Sequence, residues 1–318
     1  MRVIVTGGAG FVGRAVIRAL NRRGDSAVAL VRDPARTRDL AADGVELLAD
    51  NLSDVARLTD RLRGADAVIH IAGSYRIGIT KAEQPAMLDA NVGTTTRLLE
   101  AARAARVPKI VYVSTVNIFG NTRGAVVDET FRRDVANGFL SWYDETKYRA
   151  HEVAEQAALA GAPIVIVLPS QVYGPGDHSG FGEQMRLASE GRLPYRALDE
   201  VGVGLVHVDD LAGGIVAALD RGTLGEAYVL SGPRTTLGEA VVVAARLAGR
   251  RPPRLRLPTG LLRAMAPLGR FIGRPNLREL ISASDGVTYW ATSDKAEREL
   301  GFRPRAIETG LRDTFGAR

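Results

Sequence analysis

Arg2-Val3-Ile4-Val5-Thr6-Gly7-Gly8-Ala9-Gly10-Phe11-Val12-Gly13 opens the chain as a short β-branched run. It breaks into a glycine-rich turn and passes into the helical pattern Ala15 to Arg22. The spaced glycines have separate duties. Gly7 permits a tight turn, Gly10 lets a pyrophosphate approach the backbone, and Gly13 lets helix and strand pack closely. The first helical turn offers unpaired N–H groups and the positive end of a dipole, which together suit an anion. A strand before and a helix after turn a glycine pattern into a dinucleotide-binding expectation. Phe11 and Val12, inside the turn, are expected cofactor contacts.

The same alternation continues downstream. Ala27 to Val31, Val45 to Leu48, Ala67 to Ile71, Ile110 to Val113 and Ile164 to Leu168 read as strands, and Thr94 to Ala105 as a helix ending near Pro108. These runs are apolar without polar interruption, the pattern of strands covered on both faces. Strand–helix alternation predicts a parallel sheet with right-handed crossovers, so the expected fold is an α/β, Rossmann-type, doubly wound sheet. No fixed period recurs, so a repeat architecture is not supported. After Leu168 the pattern loosens. Pro169 to His178 is rich in Gly and Pro, and Pro252-Pro253, Pro258, Pro267 and Pro275 punctuate the remainder. We expect residues 1–168 to form the dinucleotide-binding domain, with a return segment near 204–231. Residues 169–203 and 232–318 are expected to form a smaller, mixed substrate lobe over the carboxyl ends of the strands, where open α/β sheets bind ligands.

Composition narrows the function. The 318 residues are 46% hydrophobic and 25% charged, ordinary globular usage with material for a large core. The most apolar segment, Val241 to Ala248, is too short for a membrane span. The chain begins directly in a strand, leaving no room for a signal peptide, so a cytoplasmic location is expected. With no cysteine there is no disulfide, thiolate metal site or cysteine nucleophile, and no metal is expected. The net charge of +6 raises the question of nucleic acid, since clustered arginines neutralise phosphates. The arginines are instead dispersed among Asp and Glu. Only Arg250-Arg251 with Arg254 and Arg256 forms a cluster, and no aromatic residues are interleaved there to stack on bases. A solvated arginine surface is the reading, with no nucleic-acid partner.

The end of the second strand bears on which dinucleotide binds. An acid there would accept from an adenosine ribose and repel a 2′-phosphate. This strand ends Leu30-Val31-Arg32-Asp33, with Val31 where the acid is expected and Arg32 after it. A guanidinium grips phosphate bidentately, which favours NADP, with NAD as the alternative. Arg14 could assist, and Asp33 could swing in against it.

Tyr143-Asp144-Glu145-Thr146-Lys147 sets a tyrosine and one of only four lysines at i and i+4 of a helix running through Glu155, hence on one face. An ammonium beside a phenol favours phenolate, as does the positive charge of an oxidised nicotinamide, so a lowered Tyr143 pKa and proton transfer near neutral pH are expected. Ile110 to Thr115 is a strand ending in two hydroxyl residues, and a hydroxyl there can orient a substrate oxygen alongside Tyr143.

Taken together, these segments resemble the extended short-chain dehydrogenase/reductase family, in its epimerase/dehydratase-like branch. The likeness includes Thr6 to Gly13, His70-Ile71-Ala72-Gly73, Asn91-Val92-Gly93-Thr94, Val113-Ser114-Thr115 and Tyr143 to Lys147. It continues through Pro169 to Asp177 and His207-Val208-Asp209-Asp210. The resemblance implies Thr115, Tyr143 and Lys147 as the catalytic set, with Asn91 supporting the lysine through a helix distortion. It implies Pro169 and Val172 near the nicotinamide, and a homodimer. Ile71 and Ala72 are expected cofactor contacts too. Where the family has Gly-Asp-Leu, this chain has Asp50-Asn51-Leu52; Asn51 keeps an oxygen for the adenine amino group, with Leu52 beside it. Thr115 is followed by Val116-Asn117 and not by an acidic pair, which argues against dehydration.

Val31 to Pro34, Ser74-Tyr75-Arg76 and the Leu205-to-Leu211 segment look like dihydroflavonol-reductase-like and hopanoid-associated members. The expected activity is therefore NADP(H)-linked reduction of a carbonyl in a small-molecule substrate. Alternatives are an NAD-dependent sugar-nucleotide epimerase and a catalytically silent cofactor-binding subunit. Ser74, Tyr75, Asn117, Gln171 and His178 are the expected substrate contacts. Leu261, Leu262, Met265, Leu268, Phe271 and Ile272 hint at a hydrophobic substrate or equally at a buried amphipathic helix. His70 and His207 are expected to be structural, and Asp209-Asp210 to cap a helix.

Overall fold

The computed structural model describes residues 1–267 and 276–316. Leu268, Phe271, Ile272 and Pro275 lie outside them, as does the side chain of Met265. The chain starts with β1 (Arg2–Thr6), α1 (Phe11–Arg23), β2 (Ser26–Val31), α2 (Arg38–Ala42), β3 (Glu46–Ala49), α3 (Val55–Leu62) and β4 (Ala67–His70). Next come α4 (Gln84–Leu88), α5 (Thr94–Ala104), β5 (Ile110–Val113), α6 (Trp142–Leu159), β6 (Ile164–Pro169), β7 (Gln171–Tyr173) and α7 (Gly180–Ser189). They are followed by β8 (Arg196–Ala197), β9 (Gly202–His207), α8 (Val208–Arg221), β10 (Ala227–Leu230), β11 (Arg234–Thr236) and α9 (Leu237–Leu247). The last elements are β12 (Arg256–Leu257), α10 (Thr259–Met265), α11 (Leu277–Ser282), β13 (Thr288–Tyr289), α12 (Asp294–Leu300) and α13 (Ile307–Phe315).

Seven strands form one parallel sheet in the order β10-β6-β5-β4-β1-β2-β3. The doubly wound expectation is met. Its unbroken apolar strands follow from two covered faces. In β1, Val3 and Val5 pack with Val16, Ile17 and Leu20 of α1 and Leu211 and Ile215 of α8. Ile4 between them joins Leu58 and Leu62 of α3 and Leu98 of α5 on the other face. The strand order reverses between β1 and β4, so the glycine turn after β1 stands at the crevice such sheets use for ligands.

The second half mixes short strands with helices, as expected for the smaller lobe. β9 carries β7 and β13 in parallel and β11 antiparallel, a small second sheet, and β8 pairs with β12. Gln171–Tyr173, inside the Gly/Pro-rich stretch read as irregular, is thus a strand held by β9. α8 packs along α1 and β10 adds the edge strand beside β6. No helix among the described residues is long and apolar enough to cross a membrane.

Candidate functional site

The turn after β1 is shaped by close backbone approach. Gly7 has φ 71° and its carbonyl accepts from Gly10 N at 2.9 Å. A Cβ on Gly7 would lie 2.8 Å from Ala72 N, and one on Gly13 would lie 2.2 Å from the Gly7 carbonyl oxygen. Ile71 and Ala72 therefore close over the turn. Thr6 fastens them, its hydroxyl accepting from Ala72 N at 3.2 Å and meeting His70 Nδ1 at 2.7 Å. Gly10 precedes α1 and gives it no side-chain cap, and the first turn holds no acid, so its N–H groups have no internal anion. The cradle fits a dinucleotide pyrophosphate.

At the end of β2, Val31 is buried and Arg32 is exposed, with no ion pair among the described residues. Asp33 is committed elsewhere. Its carboxylate accepts from Ala35 N at 3.0 Å and meets Arg36 at 3.2 Å, capping the short 3₁₀ turn Pro34–Thr37. Arg14 is committed too, donating to the Asp39 carboxylate. Farther on, Asp50 is buried, accepts from Leu52 N at 2.7 Å and faces Arg57 at 3.2 Å. Leu52 takes φ 60°, a costly geometry for a branched residue, and Arg97 Nε donates to its carbonyl at 2.6 Å. The Asn51 oxygen accepts from Ser53 N and its hydroxyl, so the acceptor foreseen for adenine is shared with a local turn.

Ser141 caps α6, accepting from Asp144 N at 3.1 Å, and the helix then presents Tyr143 and Lys147 on one buried face. Lys147 Nζ donates to the Val113 carbonyl at 3.3 Å and stands 5.5 Å from the Tyr112 ring centre. Burial pulls its pKa down to about 8. The expected lowering of Tyr143 is corrected here. Burial pushes the phenol up and Tyr75 adds to this, while the Thr115 hydroxyl opposes it. The cause is the setting: Ile77, Ile79, Met87 and Trp142 pack around Tyr143, and the half-exposed Tyr75 ring meets it edge-on at 4.8 Å and 84°.

Thr115 lies beside this cluster at the end of β5. Its hydroxyl donates to Asn117 Oδ1 at 3.0 Å and stands 3.5 Å from the Pro169 carbonyl. Asn91 sits in a π-helical segment, Asp89–Gly93, between α4 and α5. It holds Thr146, the neighbour of Lys147, and does not hold the lysine itself: Nδ2 donates to Thr146 Oγ1 at 2.9 Å and to the Ser74 carbonyl at 3.2 Å. Ser74 N donates back to Asn91 Oδ1 at 2.7 Å, so one asparagine ties α6 to the Tyr75 loop. Val172 lies on β7 opposite Val206, and Gln171 Nε2 donates to the Val172 carbonyl at 3.3 Å. His178 is exposed on the loop before α7. Among the described residues, neither Gln171 nor His178 is hydrogen-bonded to Tyr143.

Sequence reasoning missed His151, one turn after Lys147. It is buried, with Nδ1 3.1 Å from Ser114 Oγ and Nε2 3.3 Å from Glu155. Its i+4 spacing from Lys147 was the available signal. His70 is driven down to about 3 by burial and by the Lys147 charge, hence neutral and structural. The capping expectation for Asp209-Asp210 is corrected. His207 caps α8 by accepting from Asp209 N, whereas Asp210 grips Arg305 at 2.7 Å and Asp209 faces Arg18 at 3.4 Å.

Residues 3–231 match the model of the NAD dependent epimerase/dehydratase family. The chain belongs to that family. This epimerase/dehydratase-family protein is an NAD(P)-dependent enzyme of the extended short-chain dehydrogenase/reductase type, and its relatives carry enzyme names. The 4-hydroxy-2-methyl-3-oxo-4-farnesyl-3,4-dihydroquinoline-1-oxide ketoreductase of Stigmatella aurantiaca is 29% identical, covering 96% of this chain and 92% of that one. The crystal structure of gox2253 superposes with a TM-score of 0.85 at 34% identity, covering 98% and 96% of the two chains. DesIV, a dTDP-glucose 4,6-dehydratase from Streptomyces venezuelae solved as a double mutant with NAD and DAU bound, superposes at 0.80. It is 26% identical, over 99% of this chain and 96% of that one.

Proposed function

We propose that this family member transfers hydride between NADP(H) and a carbonyl or secondary alcohol, with Tyr143 as general acid/base. The observation that carries the reading is the buried, protonated Tyr143 phenol beside the Thr115 hydroxyl, with Lys147 one helical turn away. A phenol kept protonated across neutral pH is suited to deliver a proton to a developing alkoxide, so reduction is the favoured direction. Thr115 hydrogen-bonds the substrate oxygen, and Lys147 holds the ribose next to the nicotinamide. Gly7, Gly10, Phe11, Val12 and Gly13 would hold the pyrophosphate, Asn51 and Leu52 the adenine, and Ile71, Ala72, Pro169 and Val172 the nicotinamide half. When bound, the cofactor supplies the hydride and the protein supplies position and electrostatics. The apolar wall about Tyr143 suits an uncharged ketone, in keeping with a relative named as a ketoreductase.

Arg32 is the proposed grip on the 2′-phosphate, since nothing else in the described residues competes for it. Arg32→Ala is expected to weaken NADPH binding by roughly 100-fold and NADH binding by less than about threefold, the worth of one charge-assisted phosphate grip. Fluorescence titration with both cofactors checks this. A wild-type preference for NADH, with NAD retained through purification, would instead favour the epimerase reading.

Lys147 gives the reaction a pH signature. Its folded value of about 8 lies below its ordinary 10.5, so the ammonium that holds the ribose is lost as pH rises through 8. kcat/KM for reduction should fall above that pH. Stability should move the other way. Between the two values the unfolded chain binds more protons, so stability rises with pH there, by up to about 3 kcal/mol. Lys147→Met should remove both trends, and a pH–rate profile beside urea unfolding at pH 7 and pH 10 measures them.

A further inference from the structure

The arginine cluster near residue 251, read from sequence as solvated surface, is one wall of a larger feature. Arg196 from β8, Arg246 from α9, and Arg251, Arg254 and Arg256 line one open groove of about 710 Å³. The rest of its lining is Val242 and Pro252-Pro253, and no carboxylate lines it. Among the described residues, the one acid within ion-pair distance of any of the five is Asp199, 3.4 Å from Arg196 and 3.5 Å from Arg256. Five guanidiniums against one carboxylate leave a local charge of +4.

Arg196 is what sets this groove apart from a solvated patch. Its side chain is only 9% exposed and its Nε has no hydrogen-bond partner. A guanidinium N–H that has lost water and found no acceptor carries a desolvation cost that a bound oxyanion would offset. The neighbouring arginines cannot help, since each is a donor only. Guanidinium forks match phosphate oxygens two at a time, and a net +4 exceeds what one carboxylate ligand would balance. No aromatic residue lines the groove to stack on nucleobases.

We propose that this groove binds a small soluble oligophosphate, of the pyrophosphate class, at a site sharing no residue with the glycine turn or the Tyr143 cluster. The test titrates inorganic pyrophosphate into protein already saturated with NADP, so that the cofactor's own phosphate sites are filled. Calorimetry should show one further site per chain. Arg246→Ala combined with Arg254→Ala should weaken it by about tenfold or more, the equivalent of one lost charge-assisted pair, with NADP affinity and turnover unchanged. Arg196→Met should weaken it further, with circular dichroism checking its fold; the exposed pair keeps the test decisive if that variant does not fold. The proposal is overturned if NADP-saturated protein gives no binding heat, if the double variant binds like wild type, or if pyrophosphate merely displaces NADP. Retention on phosphatidylglycerol vesicles without any response to pyrophosphate would overturn it as well.

Discussion

Tyr143→Phe is expected to lower kcat for carbonyl reduction by about 10³-fold, within the range for loss of a positioned general acid. Only the hydroxyl is removed. The ring keeps its edge-on contact with Tyr75 and its packing against Ile79, Met87 and Trp142, so the fold should be undisturbed. NADPH affinity should stay within about twofold, because the phosphate and ribose contacts proposed for the cofactor do not involve this hydroxyl. Stopped-flow turnover of a bound carbonyl, together with NADPH titration, separates these effects. Wild-type turnover in the variant would remove Tyr143 from the chemistry. A parallel loss of NADPH binding would mean that the residue is structural.

Gly13→Ala should nearly abolish cofactor binding. In an ordinary helix this change adds stability, about 0.5–1 kcal/mol, by restricting the unfolded chain. Here the new methyl would stand 2.2 Å from the Gly7 carbonyl oxygen and 2.7 Å from Gly8 Cα, both backbone atoms that cannot swing aside. The turn or the helix start must move, and either displacement spoils the N–H cradle. We expect NADPH affinity to fall by about 100-fold or more and stability to drop by about 1–3 kcal/mol, the usual cost of overpacking. Calorimetric titration and thermal unfolding measure the two. A variant that binds NADPH like wild type would refute the cradle as the pyrophosphate site.

The glycine turn and the Tyr143–Lys147 pair stood out in the sequence because their signals are local. A strand, three spaced glycines and a helix are neighbours in sequence, and i,i+4 spacing alone puts Tyr143 and Lys147 on one helix face. Thr115 was legible for the same reason, standing where a β-branched run ends. The role of Asn91 was read only in part. A helix distortion was expected, but its hydrogen bond to Thr146 joins residues 55 positions apart. Nothing local marks that partner. His151 was passed over although its i+4 spacing from Lys147 put it on the same helix face, because its partner Ser114 lies on a different element. The β7 strand was missed because its partner β9 follows only after α7 and β8, and strand pairing across such a distance leaves no periodic trace.

Electrostatics divided along the same line. The type and order of charged residues named Arg32 as a phosphate grip, yet the structure showed that Asp33 and Arg14 are already paired. The Tyr143 prediction went wrong in sign. Helical spacing put an ammonium near a phenol, but the apolar side chains packed about Tyr143 come chiefly from the loop after β4 and from α4. Burial by those distant residues is the largest influence on the phenol, and it raises the pKa. The arginine groove followed the same rule, since Arg196 reaches the cluster through the pairing of β8 with β12.

By itself, the sequence determined the doubly wound sheet and singled out the glycine turn, Tyr143, Lys147 and Thr115 as a candidate site, because each rests on periodicity or spacing within one or two elements. Only the tertiary structure decided which way burial shifts those groups, which charges stay unpaired and which residues hold α6 in place. Those properties depend on burial, and burial is set by side chains that meet from opposite ends of the chain.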